Sequence, residues 1–180
     1  MPTVLIPLAQ GCEELEAVTI IDLLRRANIT VITAGLDAEP VTASRGVVLI
    51  PDTTLDKAIR QEFDMVVLPG GLPGSDHLNN DSRIQTLLKK MQQQGKYTAA
   101  ICAAPKVLAS AGLLNGKSAT CYPGALETTP DINLIDKPIV KDGQVITSRG
   151  PGTAMDFTLE LIEILVGRET RNKVEAGLVR

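Results

Sequence analysis

Cys102 has the most chemistry to offer in this chain. It follows the apolar run 97–101 and precedes Ala103, Ala104 and Pro105. Such a run predicts a strand buried on both faces. A proline fits the first turn of a helix, where its missing N–H is not needed. Val107, Leu108, Ala111 and Leu114 then continue at helical spacing. The stretch 97–114 reads as strand, sharp turn, helix, with a thiol at the turn. Free N–H groups and the positive end of a helix dipole favour an anion, so the Cys102 pKa is expected below the usual ~8.5. The small Ala103 and Ala104 leave room for a reactant. A cysteine at a strand end also serves as a small buried hydrophobe, and the stretch alone leaves both readings open.

Three other loops carry candidate partners. In QGCEELEAV the helical neighbours of Glu16 are Thr19, Ile20, Leu23 and Ala27, so Glu16 tops a largely apolar face. A carboxylate held there has its pKa raised and can stay protonated, donating to a thiolate or acting as a general acid. The alternative is an exposed glutamate favouring the helix dipole, which suits Glu13 and Glu14 better. In LPGGLPGSDH the pair Gly70-Gly71 lets main-chain N–H groups converge on an oxyanion or carboxylate, or makes a plain turn. It matches neither a GxGxxG fingerprint nor a Walker loop. In TSRGPGTAMDF, Arg149, Gly150 and Gly152 precede a helix start and could hold an anion. Arg149, like Arg45 in Ser44-Arg45-Gly46, also reads as a structural ion pair. His77 is the single histidine and sits in polar GSDHLNND, a solvated helix end, so a Cys–His mechanism must use it or fail. Cys12 and Cys121 lie far in sequence from any histidine, no cluster has metal-ligand spacing, and neither metal nor cofactor is expected.

The elements that must position these residues alternate. Strands are predicted at 3–9, 29–34, 47–50, 64–69, 97–101, 118–121 and 144–148, and helices at 13–27, 55–61, 82–94, from Pro105, 152–166 and beyond Gly167. That alternation indicates an α/β fold with a mostly parallel sheet covered by helices on both faces. Ligands in such folds bind beyond the carboxyl ends of the strands, which selects the loops after residues 9, 69 and 101. The Pro-containing segment 122–138 reads as a surface excursion, and 1–180 as a single domain.

Length and composition narrow the function classes. The chain has 180 residues, enough to bury roughly 70% of its unfolded surface. A net charge of −3 and four aromatic residues, none of them Trp, argue against a nucleic-acid binder. No apolar run approaches the ~20 residues needed to cross a bilayer. The opening MPTVLIPLAQG carries no charged leader and predicts a first strand. Three cysteines without CxxC spacing suit a reducing compartment, so the cytoplasm is expected. Leu15, Val18, Ile20, Ile21, Leu23 and Leu24 spread over more than one face of the first helix, more than one sheet can cover, which suggests a homodimer through that helix.

The strings GCEELEAV, SRGV, VVLPGG, AAICAAP and TSRGPGT run in this order across nearly the whole chain. Together they closely resemble the ThiJ/PfpI superfamily, in the branch of the Parkinson-associated deglycase and its bacterial relatives. The resemblance implies a flavodoxin-like three-layer sandwich and a homodimer. It places the reactive nucleophile at Cys102, its protonated carboxyl partner at Glu16, and backbone oxyanion contacts at Gly70, Gly71 and Ala103. It places an anion-pocket arginine at Arg45, with Arg26 contributed by the other subunit, and substrate contact at Tyr122. The implied activity is a cofactor-independent, glyoxalase III- or deglycase-like reaction on small dicarbonyls such as methylglyoxal or their early adducts. A redox sensor or chaperone is the alternative, and a cysteine hydrolase of the protease-like branch a third. Ala103 stands where protease-like members carry histidine, which weakens the third. Tyr122 stands where the deglycase branch has a histidine, and a phenol with pKa near ~10 is a poor base near neutral pH.

Overall fold

In the first strand, Val4, Ile6 and Leu8 fall into one core cluster and Leu5 into a second on the opposite side. That period-2 split is what a strand covered on both faces requires, and it organises the computed structural model, which describes residues 1–126 and 129–180. In chain order the elements are β1 (Thr3–Leu8), α1 (Glu14–Arg26), β2 (Thr30–Gly35), β3 (Val41–Thr42), β4 (Val48–Leu49), β5 (Thr53–Thr54), α2 (Leu55–Ala58), β6 (Met65–Leu68), α3 (Gly74–Asn80), α4 (Ser82–Gln93), β7 (Tyr97–Ile101), α5 (Pro105–Ser110), β8 (Ser118–Ala119), β9 (Asn133–Leu134), β10 (Ile139–Asp142), β11 (Val145–Ser148), α6 (Ala154–Val166) and α7 (Arg168–Gly177). The central sheet runs β10-β11-β7-β6-β1-β2-β5. Every neighbouring pair in it is parallel except β10 with β11.

Helices α1 and α6 cover one face, meeting the sheet through Ile20, Leu23, Phe157 and Leu161. Helices α2 to α5 cover the other through Leu55, Leu78, Ile84, Leu88 and Leu108. The α/β three-layer sandwich expected from the alternation is the one observed. Helix α1 starts where Glu13 caps the Leu15 N–H and ends with Arg25 and Arg26 in its last turn, both favourable to the helix dipole.

Several expected elements differ. Residues 47–50 do not form a strand of the central sheet. Only Val48–Leu49 pair, antiparallel with β3, and Val47, Val48 and Ile50 are exposed. An apolar run reads the same whether a core or an empty face receives it. Of 118–121 only Ser118–Ala119 is a strand, and it pairs with β9 outside the central sheet. The edge strand β10 and helix α3 have sequences too polar or too short to signal themselves. Helix α2 stops at Ala58. In the segment 122–138, residues 127 and 128 lie outside the described residues, and most of the others are exposed above buried Leu126.

Candidate active site

The loops after β1, β6 and β7 converge at the carboxyl end of the sheet, beside the switch in strand order between β1 and β6. Cys102 stands one residue past β7 with φ +64°, a left-handed conformation that costs a non-glycine residue about 1 kcal/mol and needs neighbours to hold it. Its N–H donates to the Ser148 carbonyl at 3.0 Å and its carbonyl accepts from the Tyr122 N–H at 2.8 Å. The strand-to-helix turn is thus a pinned elbow that presents the side chain.

Glu16 is fully buried on α1 and reaches the same point. Its Oε2 accepts the Gly70 N–H at 2.7 Å, whereas Oε1 is buried with no hydrogen-bond partner. The carboxyl lies close enough to the Cys102 thiol to couple their protons, without a well-directed hydrogen bond at Oε1. Burial pushes the Glu16 pKa up to about 7, opposed by the Gly70 N–H and the thiol.

The glycine pair is a steric requirement. A Cβ at Gly70 would lie 2.7 Å from the Cys102 Cβ and 2.8 Å from Glu16 Oε2, between the cysteine and the carboxyl. Gly71 has φ +89°, and a Cβ there would meet the Glu13 nitrogen at 2.3 Å. Main-chain N–H groups of Gly71 and Ala103 face the thiol and act to lower its pKa.

The DJ-1/PfpI family model matches residues 2–164. The chain belongs to the DJ-1/PfpI family. Drosophila melanogaster dj-1beta is 46% identical over 178 residues, covering 97% of this chain and 95% of that protein. Its crystal structure superposes with a TM-score of 0.95 at 45% identity, covering 99% and 97% of the two chains. Toxoplasma gondii DJ-1, in a structure described as oxidized, gives 0.96 at 38% identity over 99% and 98%. The Caenorhabditis elegans glutathione-independent glyoxalase DJR-1.2 is 35% identical over 167 residues, 92% of this chain and 89% of its own.

Two features of the structure bear on the site expected from sequence. The Gly70 N–H is occupied by Glu16, whereas those of Gly71 and Ala103 face the Cys102 thiol. The Cys102 pKa is not lowered. Burial, then the charge of Glu16 and contact with its carboxyl, push it up to about 12. Helix α5 begins only at Pro105 and spans six residues, too short and too far along to outweigh desolvation.

The remaining candidates are distributed around this centre. Arg45 is exposed, and its main-chain N–H donates to Glu14 Oε1 at 2.8 Å. Ser44 Oγ meets both Glu13 and Glu14, so the β3–β4 hairpin is tied to the start of α1. Arg26 pairs with Asp22 at 3.1 Å, ten residues along α1 from Glu16 and hence about 15 Å from it within one protomer. Half-exposed Tyr122 lies against Gly150. Arg149 forms an ion pair with Asp136 at 2.9 Å, the structural alternative weighed above. His77 is exposed on α3. Cys12 is buried, and desolvation lifts its pKa to about 11. Among the described residues no three His, Cys, Asp or Glu side chains gather as a metal cluster, and no helix is long and apolar enough to cross a membrane.

Sequence reasoning missed Ser148 and Thr153, whose hydroxyls lie 2.6 Å apart behind the elbow. The string TSRGPGT drew attention for its arginine and glycines, and nothing in it signals that two hydroxyls five residues apart would meet.

Proposed function

We propose that this protein converts small α-dicarbonyls such as methylglyoxal into hydroxy acids, using Cys102 as nucleophile and Glu16 as proton carrier. The observation that carries this is the buried, unpartnered Glu16 Oε1 beside the thiol. A carboxyl with pKa near neutrality is populated as both acid and base at pH 7, the condition for efficient proton transfer.

Cys102 sulfur attacks the aldehyde carbon as its proton passes to the Glu16 carboxylate. The developing oxyanion meets the Gly71 and Ala103 N–H groups and takes the proton back from Glu16, giving a hemithioacetal. Glu16 then removes the C1 proton, and the electron pair moves into an enediolate. Return of that proton to C2, with the C1 hydroxyl proton passing to the C2 oxygen, leaves a 2-hydroxy thioester with its carbonyl at C1. Water cleaves the thioester to lactate and frees the thiol, so methylglyoxal plus water equals lactic acid and no redox partner is consumed. The raised thiol pKa fits this route, in which sulfur gives up its proton to a built-in base. The glyoxalase name of the Caenorhabditis elegans relative supports the same class. The purified protein should produce lactate from methylglyoxal without added glutathione or metal, and absence of turnover sinks the reading.

A second reading, oxidation sensing at Cys102, is favoured by the Gly71 and Ala103 N–H groups, which can hold a sulfinate oxygen as well as an oxyanion. Mild peroxide followed by peptide mass spectrometry should place oxidation at Cys102, with buried Cys12 spared. Equal modification of Cys12 and Cys102 would remove the reading.

The active form is proposed to be a homodimer through α1. Leu15 and Val18 are exposed there by 51% and 46%, beside the tethered hairpin with exposed Val47 and Val48. Gel filtration should give about twice the 19.2 kDa chain mass, and Val18→Glu should halve it. A wild-type mass near 19.2 kDa refutes the dimer.

A further inference from the structure

We infer that Thr153 is a positioning residue for the nucleophile, bracing through Ser148 the loop that holds Cys102 in its left-handed conformation. The inference rests on the proposed role of Cys102 and adds a cause for the thiol's placement.

Ser148 is fully buried at the end of β11, and its carbonyl receives the Cys102 N–H. Its hydroxyl lies 2.8 Å from the Pro138 carbonyl and 2.6 Å from Thr153 Oγ1. Thr153 Oγ1 in turn lies 3.3 Å from the Gly150 nitrogen and 2.9 Å from the Gly150 oxygen. Each hydroxyl has one proton. One assignment serves every group. Gly150 N–H donates to Thr153, Thr153 donates to Ser148, and Ser148 donates to the Pro138 carbonyl. The Gly150 carbonyl is then left to the Thr153 main-chain N–H at 3.0 Å.

This relay closes the turn 148–153 on itself and ties it to the chain entering β10. The same turn holds the elbow from both sides. Ser148 takes the Cys102 N–H, and Gly150 backs the ring of Tyr122, whose own N–H holds the Cys102 carbonyl. A left-handed cysteine relaxes when such restraints are lost. Relaxation would carry the sulfur out of its buried position beside the Glu16 carboxyl, as well as away from the Gly71 and Ala103 N–H groups.

The test compares wild type, Thr153→Val and Thr153→Ser by the pH profile of iodoacetamide alkylation at Cys102, read by peptide mass spectrometry alongside melting temperature. Valine keeps the shape and removes the relay. Because burial and Glu16 raise the thiol pKa by more than the two N–H groups lower it, the valine profile should move down by about one pH unit, a tenfold rise in thiolate at a fixed pH, with melting changed little. Serine restores the hydroxyl and should restore the profile. If Thr153→Val melts early, Ser148→Ala carries the same comparison without added bulk. A wild-type profile in Thr153→Val, or in Ser148→Ala where that substitutes, overturns the inference, as does a Thr153→Ser profile shifted as far as that of valine. Alkylation needs no dicarbonyl substrate, so an inactive wild type would defeat the proposed reaction without touching this result.

Discussion

Cys102→Ala is expected to leave less than about a thousandth of wild-type lactate production, because the reaction proposed here has no other route to the thioester. The substitution is small for the fold. Cys102 is only 7% exposed, and alanine keeps its Cβ, so the restraints from Ser148 and Tyr122 act on an unchanged main chain. Left-handed alanine is no more strained than left-handed cysteine. Melting should therefore stay near wild type while turnover vanishes. Retained turnover in a folded Cys102→Ala protein would show that the buried carboxyl alone performs the proton shifts, and the nucleophilic mechanism would fall.

Glu16→Gln should lower turnover about a hundredfold and at the same time flatten the dependence of stability on pH. Glu16 has an ordinary pKa of 4.5 in an unfolded chain and about 7 when folded. Below 4.5 both states hold the proton. Between 4.5 and 7 only the unfolded chain releases it, so the folded state loses ground as pH rises. Above about 7 the whole difference has been lost. At about 1.4 kcal/mol per unit of separation, the loss is about 3 kcal/mol. Denaturant titrations of wild type at pH 5 and pH 8 should differ by an amount of this order, beyond what Glu16→Gln shows over the same interval. Glutamine still accepts the Gly70 N–H but cannot titrate. The variant should also alkylate Cys102 at lower pH, since apart from burial the influences raising that thiol come from Glu16. Equal pH slopes in the two proteins would mean that Glu16 titrates as an ordinary solvated carboxylate.

The two effects share a cause. Evicting water from around the carboxyl raises its pKa to where it can exchange a proton at pH 7, and the same eviction destabilises the fold once that proton leaves. A stabilised variant at this position is thus expected to be a slower enzyme.

Much of this was legible in the sequence, for local reasons. Period-2 and continuous apolar runs identified the parallel core strands, and proline three residues after Cys102 marked the turn from strand to helix. The 3.6-residue period of α1 placed Glu16 on the apolar face with Ile20, Leu23 and Ala27, all of them buried. Such patterns register how each segment meets its immediate surroundings, and for these segments the surroundings are the core. Only the tertiary structure decided what meets at the elbow. It placed the Gly70 N–H on Glu16, and it buried the thiol so deeply that desolvation overcame the helix start. It turned Val47, Val48 and Ile50 outward on a hairpin, and it brought Ser148, Gly150 and Thr153 behind Cys102 from about 50 residues downstream. Hydrogen-bond allocation and desolvation depend on groups distant in the chain, and no local period in the sequence records them.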